Sequence, residues 1–338
     1  REDYVMKRTQ NKNFLLIFMA TSLMAVLILY LISQNAFGQK KAGANVSIVL
    51  IPKVIDVNND FWEELIEGGR LAAQEKNATL TVLGGPTETD IDYQNRMIEE
   101  AIAMKPNAIA LAPCDYERTM PYAQKIQEAG IKLIIVDSLM KETFGASIVA
   151  TDNVEGGRKM SAYAYSMLNE DSVIGIVGHV KGMSTAIDRE NGIREGLGEY
   201  EDQIVDVVFC DSNYSKAFEV TCEMLEEHPD INFIFGLNEY SAVGAARAVK
   251  ALGLENQITM VGFDSSKEEV QMLEAGVFDA IVVQKPMNMG YLAVSMAYEE
   301  SLTTSSFQNV DSGSALITKD TIYTEENQKL LFPFRQGD

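Results

Sequence analysis

From residue 46 onward, short apolar runs alternate with polar loops and with stretches whose apolar positions recur every three or four residues. The first run, at 46–51, is continuously apolar, the pattern of a parallel strand buried on both faces. Pro52 ends it, a polar loop covers 53–60, and a helical pattern starts at Phe61 and Trp62. That helix, to about residue 76, places Phe61, Leu65, Gly68 or Gly69, and Ala72 on one face. Further strands are predicted at 79–83, 108–112, 132–136 and 147–150, and a second set at 173–177, 204–209, 232–235, 258–262 and 279–283. Helical patterns separate them, among them 91–104, 154–168, 186–197, 216–227, 240–252 and 266–275; a last helix covers 286–302 and a final strand 315–318.

This alternation predicts an α/β protein with two doubly wound parallel-sheet domains and three interdomain crossovers, near 151–153, 284–286 and 309–313. One lobe is expected from residues 45–151 plus 285–310, the other from 152–284 plus 311–338. Ahead of them, residues 14–32 form an apolar run of 19 residues without a charge. As a helix it would be roughly 28 Å long, close to the hydrocarbon thickness of a bilayer. Lys7, Arg8 and Lys12 precede it, which predicts a cytoplasmic N-terminus at 1–13, a transmembrane anchor at 14–33 and a polar linker at 34–45. The length favours an uncleaved anchor; a cleaved leader ending near Ala36 and Gly38 is the other reading. Either places the two lobes outside the cytoplasm.

The 338 residues include 28 Lys plus Arg against 49 Asp plus Glu, a net charge of -21, which argues against nucleic acid as a partner. Two His and three Cys without metal-ligand spacing predict no metal site. Cys210 and Cys222 are read either as small core residues or as a disulfide in an oxidising compartment. No nucleophile elbow and no phosphate-loop Lys is present, so neither an enzyme nor a cofactor is expected.

Candidate chemistry gathers at the strand ends, where open α/β sheets bind ligands: Asn58, Asn59, Phe61, Trp62, Asp115, Asp137, Arg189, Asn238, Asp264 and Gln284. Amides, carboxylates and a guanidinium offer paired hydrogen bonds to hydroxyls, and aromatic rings pack on the apolar face of a sugar ring. Singly, Asp137 and Asp264 also read as turn caps, Phe61 and Trp62 as core, and Arg189 as an exposed helix residue.

From residue 46 to about 321 the chain resembles the periplasmic sugar-binding proteins of the ribose-binding type. NNDFW at 58–62 is similar to that family's ligand loop, TDNVEGG at 151–157 to its crossover, and Arg189 to Gly192 to its R-x-x-G motif. LNE at 237–239, VGFD at 261–264 and Gln284 match further family motifs. The resemblance implies ligand contacts from Arg189, Asn238, Asp264 and Gln284. The family's Asp-Arg pair is Asp137-Ser138 here, and Ser212 and Asn213 stand where an aromatic is usual, with Tyr214 nearby. IPK at 51–53, GPTE at 85–88 and Asp137-Ser138 look similar to the autoinducer-2 and rhamnose receptors, which implies contacts from Lys53, Asp137 and Asp188. The implied function is capture of a small sugar or sugar-like polyol for an ABC permease. The alternative is a ligand-sensing partner of a membrane histidine kinase or chemoreceptor, with a sugar or autoinducer-2-like ligand.

Overall fold

The computed structural model describes residues 46–303 and 307–332. The anchor and linker expected from the sequence lie outside the described residues; among the described residues no helix is long and apolar enough to cross a membrane.

The first sheet is built from β1 (Ser47–Ile51), β2 (Thr79–Val82), β3 (Ala108–Leu111), β4 (Lys132–Val136), β5 (Ser147–Ala150) and β11 (Asn309–Asp311), in the order β11-β5-β4-β3-β1-β2, all parallel. Alternate residues of β1 serve opposite faces. Ile48 and Leu50 pack beneath α1 (Asp60–Lys76) and α9 (Pro286–Leu302); Val49 and Ile51 pack toward α2 (Ile91–Ala103) and α3 (Met120–Glu128). Both faces are covered, which is why the strands read as unbroken apolar runs.

The second sheet holds β6 (Ile174–Gly178), β7 (Ile204–Phe209), β8 (Phe233–Gly236), β9 (Thr259–Phe263), β10 (Ala280–Val283) and β12 (Ala315–Thr318), in the order β12-β10-β9-β8-β6-β7. Around it lie α4 (Asn153–Tyr165), α5 (Ser184–Leu197), α6 (Tyr214–Glu227), α7 (Glu239–Ala251), α8 (Lys267–Ala275) and α10 (Glu325–Leu331). The cores on its two faces centre on Phe278, Met260 and Leu273, and on Phe235, Phe263 and Ile193.

Each sheet has six strands where the sequence pattern predicts five, or five plus one edge strand. β11 escaped prediction because Asn309 and Asp311 are exposed and only Val310 turns inward. β12 is antiparallel to β10, the one departure from parallel pairing among the described strands. The reason is geometric. β11 delivers the chain to the cleft, and three residues, 312–314, carry it to the cleft edge of the second sheet. So short a link leaves no room for a crossover, and the strand must run away from the cleft. The chain also passes between the sheets at 151–152 and 284–285. Two of these passages lie side by side, tied by Thr151 Oγ1 to Ser312 Oγ at 3.1 Å and by the Asp152 N–H to Asp311 Oδ1 at 3.1 Å. All three cysteines are free, Cys114 and Cys210 in the core and Cys222 half-buried.

Candidate functional site

The carboxyl ends of both sheets face one cleft. From the first lobe, Lys53 follows β1 and Asp137 follows β4. Lys53 Nζ lies 2.7 Å from Asp137 Oδ2, with both side chains at most 5% exposed. Asp137 sits at φ 64, a left-handed conformation that Asp tolerates better than bulkier residues and that aims the carboxylate across the strand ends. Asn59 caps α1 by accepting the Trp62 N–H at 3.1 Å, which fixes the two aromatics that follow. Phe61 and Trp62 meet edge to face at 4.9 Å, and the Trp62 indole N–H donates to Glu88 Oε1 at 2.7 Å. Both rings belong to the core of the first lobe and to the cleft wall at once.

From the second lobe, Arg189 is fully buried and held on three sides. Its Nε donates to Asn153 Oδ1 at 2.8 Å, its Nη1 to the Leu237 carbonyl at 2.7 Å, and its guanidinium lies 3.7 Å over the Phe263 ring. The contact of α4 with α5 places it there. A Cβ on Gly192 would lie 2.0 Å from the Val154 carbonyl oxygen, and one on Gly157 would lie 2.2 Å from that of Arg189. Only glycine lets the backbones approach so closely. Asn238 caps α7 through its Oδ1, and among the described residues its Nδ2 makes no hydrogen bond. Asp264, at φ 91 after β9, accepts the Glu239 N–H at 2.9 Å and the Gln284 amide at 2.7 Å. It is therefore no cap of the helix that follows, a task left to Ser266. Burial pushes the Asp264 carboxyl above its ordinary range, while Arg189 beside it pulls the other way.

These groups line a small, nearly filled cavity with Glu88, His179, Thr185 and Tyr240. His179 Nε2 lies 2.8 Å from Thr185 Oγ1. Burial, with Arg189 and Lys53 nearby, holds its imidazole well below the usual histidine range, hence neutral. Two polar atoms on this wall, His179 Nδ1 and Gln284 Oε1, are buried without a hydrogen-bond partner among the described residues. The lobes are closed on each other around the cavity: Ser212 donates to Glu88 Oε2 at 2.6 Å, Leu139 N–H to Ser184 Oγ at 2.8 Å, and Tyr240 to Asp56 Oδ2 at 3.1 Å. A larger groove, about 530 Å³, runs outside along Glu63, Lys267 and Glu274. Those side chains are exposed, and the convergent buried polar groups are in the smaller cavity.

A family profile described as a periplasmic binding protein domain matches residues 48–302, most of the chain. The chain belongs to the periplasmic binding protein family. The D-ribose/D-allose-binding protein of Pseudomonas aeruginosa is 29% identical over 227 residues, covering 64% of this chain and 71% of its own length. The crystal structure of a sugar transporter from Clostridium phytofermentans is similar with a TM-score of 0.77 at 44% identity, covering 81% of this chain and 99% of that one. An ABC transporter solute binding protein from Agrobacterium vitis with bound D-fucose matches with a TM-score of 0.80 at 29% identity, over 84% of this chain and 99% of that one.

In this periplasmic binding protein the cleft wall carries Lys53, Asn59, Phe61, Trp62, Asp137, Arg189, Asn238, Asp264 and Gln284 from the sequence expectation. Three expected residues lie off it. Asn58 is exposed and its amide turns back to Asp56 Oδ1 at 3.1 Å. Asp115 accepts the Glu117 and Arg118 N–H groups and so caps its own turn. Asp188 is half-buried, one residue before Arg189 on α5 and thus on another face of the helix. The additional wall residues follow the same positional logic. His179 comes directly after β6, as Asp137 does after β4; Thr185 and Tyr240 are second in α5 and α7, as Phe61 is in α1. Glu88 had a motif signal in GPTE but no strand-end position; the Trp62 indole draws it in.

Proposed function

We propose that this periplasmic binding protein captures a small neutral sugar or sugar-like polyol between its lobes and delivers it to an ABC importer. The observation that carries this is the pairing of buried, partnerless polar atoms on the cleft wall, His179 Nδ1 and Gln284 Oε1, with the aromatic rings of Phe61 and Trp62. A buried polar atom without a partner costs about 1–3 kcal/mol, which a hydroxyl-bearing ligand would remove. The wall's charges nearly cancel: Lys53 and Arg189 stand against Glu88, Asp137 and Asp264, and the surplus of one negative charge disfavours an acidic ligand. The sugar-binding names of the relatives support the same class.

The ligand-contact set we propose is Lys53, Asn59, Phe61, Trp62, Glu88, Asp137, His179, Arg189, Asn238, Asp264 and Gln284. Residues 14–32 would tether the lobes outside the membrane, and carbonate-resistant membrane fractionation of the full chain tests that. The apolar run also keeps a second reading in view, in which the closed form is presented to a membrane histidine kinase or chemoreceptor. A thermal-shift panel on the full chain with D-ribose, D-allose, D-arabinose and D-fucose tests the binding itself. At a hundredfold excess over Kd a true ligand stabilises by about 2.7 kcal/mol. A panel without any shift would reject the sugar class.

A further inference from the structure

Glu239, the first residue of α7 in the second lobe, spans the cleft mouth. Its carboxylate oxygens lie 3.4 and 3.3 Å from the Asp60 and Phe61 N–H groups, which open α1 in the first lobe. It is 2% exposed, yet it is no part of the cavity wall. Tyr214 completes the contact: its phenol oxygen is 2.5 Å from Glu239 Oε1 and 3.1 Å from the Asn58 carbonyl across the gap. A phenol carries one hydrogen and a carbonyl carries none. With a carboxylate the two acceptors must share that one hydrogen; both contacts are full hydrogen bonds when the Glu239 carboxyl itself supplies a second. We propose that Glu239 is a proton-dependent clasp: closing the lobes takes up one proton on its carboxyl, so that ligand capture is coupled to pH.

Burial and the neighbouring acids disfavour a carboxylate there. Asp60 faces Glu239 from α1, with Glu64 one turn on; Asp264 holds the Glu239 N–H; Glu269 approaches from α8. The compensating cations are outside: Lys267 Nζ lies 3.8 Å from Asp60, Arg247 stacks outside the Tyr214 ring and pairs with Glu268, and Arg189 is committed within the cavity. Burial pushes the Glu239 carboxyl up to about 8; the Tyr214 hydroxyl and Phe61 N–H work against this, Asp264 and Asp60 with it. The sign follows. A carboxyl held at about 8 when closed, and near its ordinary 4.5 when the lobes part, favours closure at low pH and loses that contribution as pH rises through 8.

The test has two arms on the full chain, and only the second rests on the proposed sugar function. Trp62 is the sole tryptophan, and its indole bonds to Glu88, which Ser212 of the other lobe also grips. Its emission therefore reports closure without ligand. The wild type should show a transition centred near pH 8 that E239Q lacks, because glutamine mimics the neutral carboxyl, while E64Q should keep it. In the second arm, calorimetry with the aldose that binds best, in buffers of different ionisation heat at about pH 7, should show uptake of close to one proton for wild type and none for E239Q. The wild-type Kd should weaken about tenfold per pH unit between about 5.5 and 7.5. No Trp62 transition, the same transition in E239Q, or ligand binding without proton uptake would overturn the clasp. If no aldose binds, the sugar reading fails and the fluorescence arm alone decides.

Discussion

Removing one member of the Lys53–Asp137 pair should hurt the fold more than removing both. Lys53 Nζ and Asp137 Oδ2 are 2.7 Å apart, almost wholly shielded from water. Lys53→Met keeps the length and the packing beside the Trp62 ring, 5.7 Å away, but strands the Asp137 carboxylate. Breaking a buried pair from one side costs about 3–5 kcal/mol, because the remaining charge is uncompensated. Asp137→Asn strands the ammonium instead, and Asn keeps the left-handed φ of 64 tolerable. With both changes no charge is left, and the loss should shrink to about 1–2 kcal/mol, the cost of an imperfectly bonded amide. The singles and the double therefore form a cycle with strongly non-additive energies. The assay is urea unfolding of the full chain at neutral pH, followed by circular dichroism because Trp62 is too near the substitutions. A double variant as unstable as the sum of the singles would refute the reasoning, and would mean that each side chain has independent partners.

Further expectations can be checked on the same material. Gly192→Ala drives a methyl into the Val154 carbonyl and should destabilise by about 1–3 kcal/mol or more while weakening ligand binding through displaced Arg189; thermal unfolding and titration read both. Trp62→Phe removes the indole bond to Glu88 and should weaken aldose binding by roughly 5- to 12-fold, measured by calorimetry. Burial raises Glu64 to about 8, as it does Glu239, so stability should fall as pH rises from about 4.5 to 8; E64Q and E239Q should flatten the melting temperature across that window.

The fold was legible because a strand buried on both faces writes a continuous apolar run and a helix against it writes small residues at helical spacing. Residues 46–51 and Gly68, Gly69 and Ala72 are examples. β11 was not legible, since an edge strand of Asn, Val and Asp has one apolar residue to show. The direction of β12 could not be read either, because it depends on which side of the cleft the chain enters. At the site, strand-end position found Asp137, Asp264 and Gln284, and would have found His179 had the rule been applied to every strand. The same rule placed Asp115 at the cleft, whereas its side chain bonds within its own turn, since sequence does not say whether a loop carboxylate folds inward or back. Glu88 and Glu239 owe their places to partners distant in sequence, Trp62 and the start of α1.

The most direct measurement of the central claim is a calorimetric titration of wild type and Asp264→Asn with the panel aldoses. Asp264 holds both the start of α7 and the hinge residue Gln284, and Asn preserves its shape and its φ of 91. The account predicts that wild type binds at least one aldose with one site per chain. It also predicts that the folded variant binds it roughly 10- to 150-fold more weakly, the loss of a charge-assisted contact of about 1.5–3 kcal/mol. An aldose bound with equal affinity by both proteins would place the ligand outside this cleft and contradict the account.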